Sequence, residues 1–377
     1  MKAVVWHGTG DIRLDEVPDP KIQEPTDAVV KITRSAICGT DLHMVRGTMP
    51  DMVEGTVLGH EAVGVVEEVG TAVRGFRPGD RVVVTSTIGC GTCSYCRAGY
   101  FAQCDGANPN GPAAGTCFFG GPKSTGPVDG LQAERARIPH ATMTLVRIPD
   151  GVSDDQAILL SDIFPTAWFG ARLAEIGSGD TVLVLGAGVV GQFAIASAKR
   201  QGAGRVIVVD GIESRLDIAR EQNAETVDFN AEDPVEVVKD LTGGIGVDRV
   251  IEAVGVDAEQ PGERTAEQWK PGDGPRQALD WAVELVAKAG TIGVIGVYPP
   301  GFDEFPIGQA MNKNLTLRMG NCNHRRYVPR LLDLVLTGVV DPLRFITKHE
   351  EPTAAIDAYK SFDLREDGWL KTVLDVA

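Results

Sequence analysis

Four cysteines, Cys90, Cys93, Cys96 and Cys104, lie within fifteen residues, and this spacing restricts what the segment around them can fold into. Neighbours in a Cys-x-x-Cys pattern are too close for a relaxed disulfide, whereas four thiolates from one loop can complete a tetrahedron around Zn²⁺. Seven cysteines in 377 residues are also too few for a disulfide framework. We predict a structural zinc site here, with reduced loop cysteines or a redox switch as alternatives.

Length and charge limit the other properties of the chain. With 377 residues it exceeds a single-core domain, so two domains are expected. The net charge of −16, without a long basic run, argues against nucleic acid and anionic membrane surfaces as partners. The apolar run Ala3 to Trp6 is too short for a secretory signal, which predicts a cytoplasmic protein. The uncharged stretch Thr181 to Ala198 contains glycines and a strand-to-helix switch, which argue against a membrane span.

The pattern of the chain changes near its middle. Up to about Arg147, short β-rich runs alternate with Gly and Pro, which predicts an all-β domain with long functional loops. These runs are Ala28 to Thr33, Ala62 to Val69, Arg81 to Ser86 and Leu145 to Ile148. Ser153 and Gln156 then form a capping-box pattern, and Pro165 suits the first turn of a helix that reaches Glu175.

Strands and helices alternate after this helix, which predicts a doubly wound parallel sheet of the α/β class. The predicted elements are strand Thr181 to Leu185, helix Val189 to Gln201, strand Arg205 to Asp210, helix Glu213 to Gln222, strand Arg249 to Ala253, helix Gln277 to Lys288 and strand Thr291 to Val297. The polar stretch Val256 to Arg276 is interpreted as a surface insertion. A helix near Tyr327 to Leu336 is expected to return to the first domain.

A glycine-rich turn follows the first strand of this alternating region. Gly186-Ala187-Gly188-Val189-Val190-Gly191 fits the G-x-G-x-x-G pattern of dinucleotide-binding proteins, and Asp210 ends the next strand. Gly186 permits a tight turn, Gly188 lets a pyrophosphate approach the helix N-terminus, and Gly191 allows close packing of helix on strand. A plain tight turn between strand and helix is the alternative.

The acid at the end of the second strand favours one cofactor. Asp210 is suited to accept hydrogen bonds from a ribose diol and would repel a 2′-phosphate, so NAD is predicted rather than NADP. Arg215 either flanks the adenosine or lies on the surface of its helix.

Two early segments have the composition of loops that carry chemistry, namely Cys38-Gly39-Thr40-Asp41-Leu42-His43 and Gly59-His60-Glu61. A lone Cys or His is usually a packed or solvated residue. Together with the cysteine lobe, the glycine motif and Asp210, however, the chain resembles the zinc-dependent medium-chain alcohol dehydrogenase family over essentially its whole length. The resemblance implies a Rossmann domain, a β-rich GroES-like catalytic domain, NAD, two zinc ions per chain and a homo-oligomer, either dimer or tetramer.

The expected domain boundaries follow from the resemblance together with the change in pattern. Residues 1–162 form the catalytic domain with the zinc lobe at about 88–106, residues 163–318 form the dinucleotide-binding domain, and residues 319–377 return to the catalytic domain.

The resemblance also implies a catalytic zinc held by Cys38 and His60. Many relatives place a cysteine ligand at the start of the next helix, where this chain has Asp162. A carboxylate is an acceptable zinc ligand with the formal charge of a thiolate, so the three ligands still leave an open position. The alternative for Asp162 is a helix cap. Glu61 is expected behind the metal, as an alternate ligand or a base beside the ligands.

Further roles are implied for residues around the reacting atoms. Thr40 is expected to be the first member of a proton relay, and His43 to carry the proton from a coenzyme ribose to solvent. The alternative for His43 is a solvated loop histidine. Val190 is expected beside the nicotinamide ring, and Lys371 toward the pyrophosphate. No role is predicted for Cys117 or Cys322.

Three local features are similar to glutathione-independent formaldehyde dehydrogenases and formaldehyde dismutases. They are the segment Leu160 to Thr166 followed by an aromatic residue and Gly170-Ala171, the loop Asn108 to Pro112, and the insertion after Val254-Gly255. The expected substrate is therefore formaldehyde hydrate or a primary alcohol, oxidised by hydride transfer to NAD. One alternative is an aldehyde dismutase with tightly bound NAD. Another is a zinc-binding structural or sensor protein without turnover.

Overall fold

The computed structural model describes residues 1–262 and 267–376. The chain divides into two compact units, of which unit 1 contains Met1–Pro165 and Cys322–Ala377, and unit 2 contains Thr166–Asn321.

The regular elements follow one another in three stretches of chain. Unit 1 begins with β1 (Lys2–Gly8), β2 (Asp11–Glu16), β3 (Ala28–Ile37), α1 (Gly39–Arg46), β4 (Ala62–Val69), β5 (Arg81–Val84), α2 (Ser94–Arg97), β6 (Arg135–Ile138), α3 (Ala141–Thr144), β7 (Leu145–Arg147) and α4 (Asp154–Ile158). Helix α5 (Ile163–Leu173) leads to β8 (Thr181–Leu185), α6 (Val189–Gln201), β9 (Arg205–Asp210), α7 (Glu213–Glu221), β10 (Glu225–Asp228), α8 (Pro234–Leu241), β11 (Val247–Glu252), α9 (Gln277–Leu285), β12 (Val286–Val294), α10 (Ile307–Asn312) and β13 (Thr316–Met319). Unit 1 ends with α11 (His324–Leu336), β14 (Lys348–Glu350), α12 (Ala355–Asp363) and β15 (Thr372–Asp375).

The main sheet of unit 1 has the strand order β14-β15-β3-β4-β5-β7, with β6 paired to β3. Its core consists mostly of Val, Ile and Ala from alternate strand positions, closed by Phe119 and Leu131. Because β3 and β4 are antiparallel and Ser35 pairs with Ala62, the residues after β3 and before β4 lie at one edge of the sheet. Ile37 pairs with Thr372 on the other side of β3, which brings the start of β15 to the same edge.

Several local predictions for unit 1 need correction. Strand β4 has the predicted bounds, but β3 continues to Ile37, and β5 and β7 end two and one residues earlier than expected. The segment from Cys38 to His43 is not a loop, because Cys38 caps helix α1 and its N–H donates to Asp41 Oδ2 over 2.9 Å. The capping box of Ser153 and Gln156 is confirmed at α4.

Unit 2 contains the predicted doubly wound sheet, with six parallel strands in the order β10-β9-β8-β11-β12-β13. Strands β8 and β9 and helix α6 have the predicted bounds. The junction of α9 and β12 was predicted wrongly, because the helix stops at Leu285 and the strand begins at once. Val286 pairs there with Val247 and is completely buried, so pairing and burial outweigh the local helical pattern.

The stretch Val256 to Arg276, predicted as a surface insertion, includes residues 263–266, which lie outside the described residues. At its start Asp257 and Ala258 are buried, whereas Gln260 to Gly262 are exposed. Within the described part of the chain, no helix combines the length and apolar character needed to cross a bilayer.

Candidate active site and zinc sites

The sulfur atoms of Cys90, Cys93, Cys96 and Cys104 converge in unit 1, all within 4.8 Å of one another. None of the four is in a disulfide. Backbone N–H groups donate to these sulfurs. The backbone nitrogen of Cys96 lies 3.4 Å from Cys93 Sγ, and that of Cys90 lies 3.1 Å from Cys104 Sγ. Burial raises the pKa of Cys90, but hydrogen bonds from Thr92 and Cys93 outweigh it and lower this pKa to about 6. Burial raises the pKa of Cys96 and Cys104, so the fit to a closed tetrahedral zinc site rests on the convergence of the four sulfurs.

A second cluster of metal-binding groups lies at the edge of the main sheet of unit 1. Ligand atoms of Cys38, His60, Glu61 and Asp162 all lie within 4.8 Å of one another. Asp162 Oδ2 is 3.9 Å from Cys38 Sγ and 3.4 Å from His60 Nε2. These separations suit ligands that share one ion, because Zn–S and Zn–N bonds are about 2.3 and 2.0–2.1 Å long. The structure therefore brings together the four residues predicted for the catalytic zinc.

The imidazole of His60 is oriented by a buried carboxylate. Its Nδ1 lies 2.9 Å from Asp41 Oδ1, while Asp41 Oδ2 accepts the Cys38 N–H. Because an ionised carboxylate only accepts hydrogen bonds, Nδ1 carries a proton toward Asp41, and Nε2 points at Cys38 and Asp162, where it donates when protonated and would bind a cation once deprotonated. Burial lowers the pKa of His60, but the negative charges of Asp41 and Cys38 raise it well above its ordinary value. Asp41 thus fixes the orientation of the ring, so that a cation at the cluster would replace the proton on Nε2.

Asp162 is oriented by a histidine that the sequence analysis missed. His324 Nε2 lies 2.6 Å from Asp162 Oδ1, and Thr87 Oγ1 lies 3.0 Å from His324 Nδ1. Burial raises the pKa of Asp162, but hydrogen bonds from His324 and His60 hold it well below the ordinary value. Asp162 and His324 are 162 residues apart and no local pattern links them, so only the tertiary structure reveals the pair.

Glu61 and Lys371 form an ion pair that is inaccessible to solvent. Lys371 Nζ lies 2.6 Å from Glu61 Oε1 and donates to the carbonyl of Ile37 over 3.0 Å. The pyrophosphate role predicted for Lys371 does not fit this placement, because its buried ammonium group is bound within unit 1. Burial raises the pKa of Glu61, and the positive charge of Lys371 opposes that shift.

The other Glu61 oxygen remains available to the cluster. Glu61 Oε2 is buried and has no hydrogen-bond partner among residues 1–262 and 267–376. A buried carboxylate oxygen without a partner is costly, and a cation at the cluster would compensate it. The unpartnered Glu61 oxygen therefore favours a metal ion at this cluster.

The two predicted relay residues lie on α1. Thr40, in its first turn, is half-buried. His43 is 4% exposed and helical, so the alternative of a solvated loop histidine is wrong. The order in which they would pass a proton stays a prediction.

The glycine motif of unit 2 has the geometry of a phosphate-binding turn. Gly186 has a φ of 89°, which favours glycine, and a Cβ on Gly191 would lie 1.9 Å from the Gly186 carbonyl oxygen. Gly188 caps α6, and a Cβ there would meet nothing closer than Arg215 Nη1 at 4.0 Å. The backbone at Gly188 therefore has room beside it for the close approach of a pyrophosphate that the sequence predicts there.

Asp210 and the neighbouring residues complete this turn. Asp210 is 7% exposed, and its carboxylate accepts the N–H groups of Ala187 at 2.6 Å and Ile212 at 2.9 Å. The acid predicted to bind the ribose thus also holds the glycine turn in place. Val190 is half-buried on α6, and Arg215, on α7, directs its guanidinium toward Gly188.

Cys117 belongs to neither cluster of metal-binding groups, and its reactivity can be predicted from its burial. Burial raises its pKa to about 12, and a protonated thiol is a poor nucleophile. We expect Cys117 to resist alkylation in the folded protein at mildly alkaline pH, whereas Cys90, with a pKa of about 6, reacts once chelator has removed any metal. Mass spectrometry after iodoacetamide treatment measures both, and unfolded protein is the control in which all seven cysteines react. Rapid labelling of folded Cys117 would contradict this account.

Comparison with known proteins matches each of the two units to a protein family. Residues 24–150 match the family described as alcohol dehydrogenase GroES-like domain, and residues 189–261 match the family described as zinc-binding dehydrogenase. The chain is 38% identical to the uncharacterized zinc-type alcohol dehydrogenase-like protein AdhB of Bacillus subtilis, over 99% of this chain and 100% of that protein. It is 36% identical to the glutathione-independent formaldehyde dehydrogenase of Pseudomonas aeruginosa, over 79% of this chain and 75% of that protein.

Solved structures agree with this assignment. The alcohol dehydrogenase TADH of Thermus sp. ATN1 superimposes with a TM-score of 0.85 and 34% identity, covering 100% of this chain and 99% of that one. Two further structures have TM-scores of 0.80 and hold different cofactors. A zinc-binding dehydrogenase of Sinorhizobium meliloti, 28% identical over 99% of this chain and 98% of its own, is bound to NADP. The alcohol dehydrogenase RspB of Escherichia coli, 25% identical over 100% of this chain and 99% of its own, is complexed with NADH.

Proposed function

The chain belongs to the zinc-type medium-chain alcohol dehydrogenase family, and we propose that it is an NAD-dependent enzyme that oxidises a primary alcohol or an aldehyde hydrate. The observation that carries the proposal is the convergence of Cys38 Sγ, His60 Nε2 and Asp162 Oδ2 at the edge of the unit 1 sheet. Three such ligands leave a fourth zinc position, which substrate would take in exchange with the alternate ligand Glu61, and an open position of this kind is the pattern of a catalytic site. The four-cysteine lobe would hold a second, structural zinc.

The chemistry divides between bound groups and the chain. When bound, zinc supplies a Lewis acid that lowers the pKa of a substrate hydroxyl, and NAD supplies the hydride acceptor. Asp41 keeps His60 in the tautomer that can bind a cation. The Thr40 hydroxyl can accept and donate a proton, and His43 is the proposed next acceptor. In unit 2, the Gly188 turn would receive the pyrophosphate and Asp210 the ribose.

Asp210 provides a test of cofactor choice. The 2′-phosphate of NADP would lie near the Asp210 carboxylate, and repulsion between the two negative charges would cost several kcal/mol. We therefore expect kcat/KM to be at least about 10²-fold higher with NAD than with NADP. Asp210→Asn removes the charge but keeps an acceptor for the turn, and is expected to reduce this preference at least about tenfold. Steady-state rates with each cofactor measure the effect. Equal use of NADP by the unaltered protein would contradict the assignment.

For the substrate we propose formaldehyde hydrate or a small primary alcohol. Support comes from Asp162 in place of a cysteine ligand and from the similarity to the Pseudomonas aeruginosa formaldehyde dehydrogenase. A gem-diol presents a hydroxyl to the metal as an alcohol does, and the same hydride step yields formate.

The deciding experiment compares reduced cofactor formation with formaldehyde in the absence of glutathione, with ethanol, with a longer primary alcohol and with an aromatic alcohol. The highest kcat/KM is expected for formaldehyde or ethanol. Turnover of formaldehyde to formate and methanol without added NAD would instead identify a dismutase. Lack of activity with every substrate in the zinc-loaded protein would overturn the proposed function.

A further inference from the structure

We propose that His324 is a positioning residue for the catalytic zinc, which makes Asp162 a single-oxygen ligand by occupying its other oxygen. The inference rests on the proposed zinc site and adds a residue to it. Its starting point is that the two oxygens of Asp162 have different surroundings. Oδ1 lies 2.6 Å from His324 Nε2, whereas Oδ2 faces Cys38 Sγ at 3.9 Å and His60 Nε2 at 3.4 Å.

The direction of the His324 hydrogen bond follows from its partner. An ionised carboxylate has no proton to donate, so His324 Nε2 carries the hydrogen and donates it to Oδ1. A metal bound by Cys38 and His60 would therefore meet Asp162 through Oδ2.

His324 is itself held in place from several directions. It is 2% exposed, and its Nδ1 lies 3.0 Å from Thr87 Oγ1, which in turn lies 3.3 Å from the Cys322 carbonyl oxygen. It is the first residue of α11, and the preceding Asn323 accepts the Ala102 N–H over 3.0 Å. A ring restrained in this way can orient Asp162 with little further loss of side-chain freedom.

The chemical need for such a residue arises from the identity of the ligand. A thiolate offers one donor atom, but a carboxylate offers two and can bind one ion through both. If Asp162 bound through both oxygens, it would take the position that a substrate hydroxyl requires at an open site. By donating to Oδ1, His324 lets an aspartate act as a ligand with one donor atom, as a cysteine would.

Two variants of similar size separate hydrogen bonding from packing. His324→Leu removes the donor, whereas His324→Gln retains an N–H that can reach Asp162. In chelator competition, we expect His324→Leu to weaken zinc binding at this site about 10–100-fold while the lobe zinc is retained. In the cobalt-substituted protein, the visible d–d bands should lose intensity because five-coordinate Co²⁺ absorbs less than tetrahedral Co²⁺. His324→Gln should have a zinc affinity and a cobalt spectrum close to those of the unaltered protein.

The control is His7→Leu, which removes a histidine of unit 1 that lies outside the clusters of metal-binding groups, with Nε2 2.6 Å from Asp15 Oδ2, and it should change neither measurement. Unaltered zinc affinity and cobalt spectrum in His324→Leu would overturn the inference, as would equal losses in His324→Gln. If His324→Leu fails to retain its lobe zinc, Thr87→Val decides, and an unchanged cobalt spectrum in that variant overturns the inference. If the unaltered protein binds only the lobe zinc, the proposed function itself fails.

Discussion

Replacing His60 with alanine is expected to lower kcat/KM at least about 10³-fold, since the metal supplies several kcal/mol of transition-state stabilisation. His60 Nε2 faces Asp162 Oδ2 at 3.4 Å, and its removal leaves two of the three proposed ligands. The zinc content, measured by elemental analysis, should fall from two ions to one per chain. Circular dichroism should remain that of the folded protein, because β3 and β4, which flank Cys38 and His60 in the chain, pair through their backbones.

Cys93→Ala is the matched control, because it removes a ligand from the lobe and leaves the other cluster intact. This variant should also lose one zinc, but its remaining zinc should support turnover, and its main change should be a lower unfolding temperature. An active His60→Ala, or a single zinc in the unaltered protein, would contradict the assignment of the catalytic ion.

Replacing Lys371 with methionine is expected to lower the free energy of unfolding of unit 1 by about 3–5 kcal/mol, the usual cost of removing one member of a buried ion pair. Both side chains of the pair are completely buried, and Nζ lies 2.6 Å from Glu61 Oε1. Without Lys371, Glu61 keeps a buried charge that is no longer compensated by this ammonium group. Denaturant-dependent hydrogen exchange of the β3 amides measures the effect, because Ile37 accepts from the same ammonium group.

The double variant Glu61→Gln/Lys371→Met separates charge from packing. By removing both charges and keeping similar volumes, it should recover most of the lost stability. If Lys371→Met were as stable as the unaltered protein, a group other than the Lys371 ammonium would be compensating the buried charge of Glu61. If the double variant were as unstable as the single one, the loss would come from packing rather than from charge.

The part of the site that could be predicted consists of features close together in the chain. The glycine turn follows β8 and opens α6, so its geometry depends on a few consecutive residues, and the bounds of β8, α6 and β9 agree with the prediction. Cys90 to Cys104 belong to one loop, and a short loop can bring its own thiolates together. Local patterns failed where pairing decided the outcome, as at Leu285, where strand β12 starts directly after the helix.

The amino-acid sequence by itself determined the family, the doubly wound sheet and the residue types that can bind zinc and a dinucleotide, because periodicity, glycine placement and cysteine spacing are local properties. Only the tertiary structure decided how the ligands are oriented. It pairs Asp162 with His324 across 162 residues and Glu61 with Lys371 across 310 residues. Buried polar groups must find partners wherever the folded chain provides them, and burial and hydrogen-bond geometry exist only once distant segments have packed together.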